Sequence, residues 1–152
     1  MAAPTIGHLI CTMALVVLIF VLPYFYANVT NNIKANVVQR ELQEVADYIS
    51  NTFENLYFLV NGTTYSELKI TKDLLYLPTT VEGSFFVVRI DEIKGNASRI
   101  SVHLKSNPSN LAVAWLAPGL KVGSNCVIES GRLVIACCLR DATGVYVWLD
   151  YG

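Results

Sequence analysis

The residues able to do chemistry in this chain of 152 residues are few and widely spaced. Of its two histidines, His8 stands before an apolar run and His103 at a polar position of an alternating segment, so no histidine pair exists to share a metal or relay a proton. Asp91 and Glu92 are adjacent, and in an extended strand neighbouring side chains leave on opposite faces, which is poor geometry for paired acid and base work. There is neither a glycine-rich phosphate loop nor a nucleophile elbow. The sequence therefore reads as non-enzymatic and calls for no cofactor. Cysteines carry more information. Cys11 lies within the apolar run as a small inert hydrophobe, while Cys126, Cys137 and Cys138 flank the turn sequence "ESGR" at Glu129–Arg132. A hairpin register placing Cys126 across from Cys137 or Cys138 would bring two Cβ atoms within disulfide reach. Because Cys137 and Cys138 face opposite ways, only one of them could pair; three free, buried thiols are the alternative. Three cysteines with no histidine or fourth cysteine nearby make a poor zinc set.

A second group of residues offers modification instead of catalysis. "NVT" at Asn28, "NGT" at Asn61 and "NAS" at Asn96 are N-glycosylation acceptors, whereas Asn107 is excluded by the proline after it. Net charge is −1 and the eleven basic residues are scattered, so no basic stripe can neutralise a phosphate backbone and nucleic acid is not an expected partner.

The elements that must carry these groups begin with an anchor. From Leu9 to Ala27 nineteen residues run without a formal charge, which as a helix is roughly the thickness of a bilayer's hydrocarbon core. Leu9, Leu15, Val16, Leu18, Ile19, Phe20 and Leu22 supply the membrane or helix-packing surface, and Pro23 adds a kink near its end. Tyr24 and Tyr26 then mark the headgroup level, followed at once by asparagines. Met1 to His8 form a short tail with no Lys or Arg, and Phe25 stands in "YFYA" where a cleaved signal wants a small residue, so a retained span is the expectation.

Past the span, Val38, Leu42, Val45, Ile49, Phe53, Leu56 and Val60 recur at steps of three and four between polar residues, predicting an amphipathic stalk helix within 28–62 that stops at "NG". Its C-terminal half is expected to pack on the domain that follows, and its membrane-proximal half to meet other copies or partner helices. From 63 to 152 the period becomes two. Strands are expected at 65–70, 74–77, 85–90, 99–105, 111–116, 121–128, 132–139 and 144–149, with 85–90 buried on both faces and 99–105 on one. Turn chemistry separates them: "KGN" at Lys94, "SNPSN" at Ser106, "APG" at Ala117 and "DATG" at Asp141. The fold class expected is α+β, a long N-terminal transmembrane and amphipathic helix followed by an antiparallel β-sandwich head.

The opening "APTIGHLI", the continuation "RELQEVADYISNTFENLYFLVN", then "LYLPTTVEGSFFVVRI" and "VIESGRLVIA", resemble archaeal type IV pilin-like proteins, and more closely the membrane-anchored stator proteins of the archaellum. Gly7 has no basic neighbour of the kind found at a prepilin cleavage site, which favours the uncleaved, anchored type. The resemblance implies a structural protein at the cell membrane or in an extracellular filament, with the bulk of the chain extracytoplasmic. Its implied partners are lipid or neighbouring helices, further copies of the chain, and filament or surface-layer protein met by the head.

Overall fold

The computed structural model describes residues 3–65 and 67–152. Met1 and Ala2 of the expected tail, and Ser66 of the first expected strand, lie outside the described residues. One helix, α1 (Ala3–Asn61), is followed by eight strands: β1 (Leu68–Asp73), β2 (Phe86–Ile93), β3 (Asn96–Leu104), β4 (Leu111–Trp115), β5 (Leu120–Val122), β6 (Val127–Glu129), β7 (Val134–Asp141) and β8 (Gly144–Tyr151). Two compact units result, 1–37 and 38–152.

The first unit is helix throughout its described residues and contains Pro23. Its apolar side chains are exposed on every side of the helix. The second unit starts at Val38, inside the segment expected as a stalk, because the stripe from Val38 to Val60 is buried with the sheet in one hydrophobic core. Leu42, Ile49, Phe53 and Val60 are wholly excluded from water. Facing them are alternate residues of the strands: Phe86, Val88 and Ile90 of β2, Ile100, Val102 and Leu104 of β3, Ala136 and Cys138 of β7, and Val147 and Leu149 of β8. Ala46, Ala112, Ala114 and Ala136 are buried in the same core.

The strands form one mixed sheet in the order β1-β7-β8-β5-β3-β2-β6, with β4 off this path and paired to β3. All pairings are antiparallel except β5 with β8, where Leu120, Lys121 and Val122 run parallel to Val145, Tyr146 and Val147. The expected all-antiparallel arrangement is corrected at that pair. Alternation along a strand reports which face is buried and is the same whichever way the neighbour runs. Three further expectations are corrected. Residues 74–77 form a turn: Leu74 plugs the core, Leu77 N–H reaches back to Leu74 O at 3.3 Å, and Pro78 follows with no donor to continue a strand. The expected strand 121–128 divides into β5 and β6 at Gly123, where an added Cβ would lie 2.8 Å from Trp148 Cε3. Only β2's Phe86–Val88–Ile90 face is buried, since Val87 is half-buried and Arg89 exposed.

Between β2 and β3 the two-residue turn has both Lys94 (φ 52°) and Gly95 (φ 83°) left-handed. This is the arrangement whose twist matches a tight hairpin.

Candidate functional site

The apolar run places its side chains where nothing in the structure covers them. Leu9, Leu15, Val16, Leu18, Ile19, Phe20, Leu22, Pro23, Tyr24 and Tyr26 are all exposed. Phe20, Tyr24 and Tyr26 are the most open, at 74 to 76 %. An 18-residue window of this helix has mean hydropathy 2.5 with none of it buried, and it is long and apolar enough to cross a membrane, as an anchor or a signal sequence is. Thr12, the hydroxyl within the run, donates to His8 O at 2.8 Å, so its polar atom is occupied inside the helix. Thr30 donates to Tyr26 O in the same way, at 2.8 Å.

In the second unit, polar side chains of α1 perform a task invisible in the stripe. Strand β4 pairs only with β3, leaving a row of backbone groups on its far edge. Gln39 donates to Leu111 O at 2.8 Å, Gln43 to Val113 O at 2.9 Å, and Ser50 to Trp115 O at 2.6 Å. Alternate carbonyls of an edge strand are thus taken by side chains on one side of a helix. The opposite end of this segment is closed from the sheet. Arg140 of β7 donates to Val60 O, Asn61 O and Thr63 O at 3.1 to 3.3 Å, satisfying carbonyls that a helix C-terminus leaves free. Sequence reasoning passed over all four of these residues; α1 has no basic residue in its last turn, which was the one available hint that a cation must come from elsewhere.

The thiols do not meet as a hairpin would place them. β6 pairs with β2, and β7 with β1 and β8, so "ESGR" joins strands that are not neighbours. Cys126 lies beside β2, its carbonyl accepting from Ile90 N–H at 2.8 Å. Cys137 and Cys138 sit opposite Trp148 and Val147 of β8. Of the two alternatives, the registry of Cys126 against Cys137 or Cys138 is not the one adopted: all four cysteines are free, with Cys137 and Cys138 buried and Cys126 half-buried. Cys138 faces the core and Cys137 the other side of β7. Burial pushes the Cys138 thiol up to about 11, with Cys137 adding to the rise. Burial also raises Cys137, opposed by Lys69, and Cys126, reinforced by Glu92.

The remaining chemistry-bearing groups stay apart. Asp91 is ion-paired to Arg99 at 2.8 Å and Arg89 at 3.3 Å, with a β-bulge between it and Glu92. His103 lies half-buried on β3 opposite Leu111, and His8 is exposed on α1. Among the described residues no group of three or more His, Cys, Asp or Glu could hold a metal ion. The acceptor asparagines Asn28, Asn61 and Asn96 are all exposed, on α1, at its last position and at the first position of β3. No family model, curated protein or solved structure matches the chain.

Proposed function

We propose that this is a non-enzymatic, single-span structural protein of the cell surface, pilin-like in layout. Its N-terminal helix serves as anchor, and its β-rich head binds filament or surface-layer protein outside the cytoplasmic membrane. The observation that carries the reading is the uncharged helix surface from Leu9 to Ala27, apolar on every side and uncovered. A core helix of a soluble protein hides such a surface, and water tolerates an exposed one of this size poorly. Lipid or other apolar helices are the surroundings that suit it. The test is fractionation of the native membrane with alkaline carbonate, followed by mass determination of the intact chain. Retention in the pellet with Leu9–Ala27 still attached is expected; release into the supernatant, or a mature start beyond Ala27, would overturn the anchor.

A subunit of a type IV pilus-like filament is the second reading. It is favoured by Val29, Ile33 and Val37, exposed at steps of four beyond the charge-free run, because an apolar stripe that continues past the lipid suits helix-to-helix packing among copies. Negative-stain images showing this chain as a repeating unit would select it over the single anchor.

A further inference from the structure

Within the second unit, a cleft of about 410 Å³ opens between one face of α1 and the loop that follows β1. Glu41, Glu44 and Tyr48 line the helix side at steps of three and four, with buried Val45 as the floor. Tyr76 and Pro78 form the facing wall. The rings of Tyr48 and Tyr76 stand 6.2 Å apart at 81°, making an aromatic corner. Tyr76 is 85 % exposed, so its ring is open to an incoming ligand. Glu44 is held by Arg40 at 3.1 Å, whereas Glu41 has no ion-pair partner among the described residues.

We propose that this cleft binds an organic cation, the side chain of a lysine or arginine presented by a protein partner. Aromatic faces attract a positive charge through the ring quadrupole, and they accept the apolar methylenes that carry it. The carboxylate of Glu41 supplies the counter-charge, and that of Glu44 is shared with Arg40. An anion would meet two carboxylates here, and a purely apolar ligand would leave that of Glu41 without a cationic partner. That the cation arrives on a protein rests on the function proposed above; the preference of the cleft for cations does not.

The experiment uses the full chain in neutral-detergent micelles with isotope-labelled tyrosine rings. Acetyl-lysine methylamide, acetyl-arginine methylamide and tetramethylammonium are titrated against uncharged tert-butanol while the rings of Tyr48 and Tyr76 are followed by NMR. Saturable movement of both rings with the cations and not with the alcohol is expected, and the tighter of the two amino-acid probes names the side chain. Tyr76→Ala and Glu41→Gln, at exposed positions that leave the core alone, should each weaken binding about fivefold. Equal response to tert-butanol, no saturable movement, or unchanged affinity in both variants would overturn the proposal. Because the probes are free small molecules, the outcome is independent of the carbonate fractionation that tests anchoring.

Discussion

Arg140 shows how much one side chain carries when its partners are backbone. Its guanidinium serves three carbonyls at and just past the end of α1, from a strand about eighty residues further on. Replacing it with methionine keeps the stem and removes the donors, so unfolding in urea should cost about 1–3 kcal/mol less, with lysine recovering part of the loss. Cys138 sets a pH window of its own. Its thiol has an ordinary value of 9.0 and is raised to about 11 in the fold, chiefly by burial. Between those values the unfolded chain gives up the proton and the folded chain keeps it, so stability present below pH 9 is lost as pH rises toward about 11. Urea midpoints across that range should fall, and Cys138→Ala should flatten the fall.

Elements are held by edge management as much as by burial. The outer edge of β4 would invite another strand if its carbonyls were open, and Gln39, Gln43 and Ser50 occupy them. Gln43→Ala should destabilise the head by about 1 kcal/mol by chemical denaturation, through the lost bond to Val113 and not through lost burial. At the β2–β3 turn, Lys94 holds a positive φ that asparagine tolerates better, so Lys94→Asn should raise the melting temperature. Gly123→Ala acts in the opposite direction, driving a methyl into the Trp148 ring. The same glycine ends β5, which explains why the apolar pattern over 121–128 read as one strand: periodicity records burial on either side of the break and is blind to the close approach that causes it.

For the whole molecule, the division at Val38 is the testable feature. A chain beginning at Asn28 retains every residue of the 38–152 core and lacks the charge-free run. It should stay in solution without detergent and unfold in one cooperative transition, checked by sedimentation and circular dichroism; aggregation or a non-cooperative melt would show that the head depends on the N-terminal helix. The same division accounts for what could be read in advance. The stripe Val38–Val60, the period-two strands and the uncharged run are local patterns, each repeated several times over, and each follows directly from which side of an element meets water.

Pairing is another matter. The sequence by itself determined that an apolar helix precedes an amphipathic one and a strand-rich region, and that Cys137 and Cys138 face opposite ways. Only the tertiary structure decided that β5 runs parallel to β8, that "ESGR" joins strands placed apart in the sheet, and that Cys126 therefore sits beside β2. It also decided that Arg140 closes α1 and that Tyr48 and Tyr76 meet across a cleft. The physical reason is common to all of them. Hydrophobic periodicity fixes the face each residue presents, but neighbours in a sheet are chosen by how eight strands and one helix stripe jointly exclude water, a condition on the whole chain that no single segment contains.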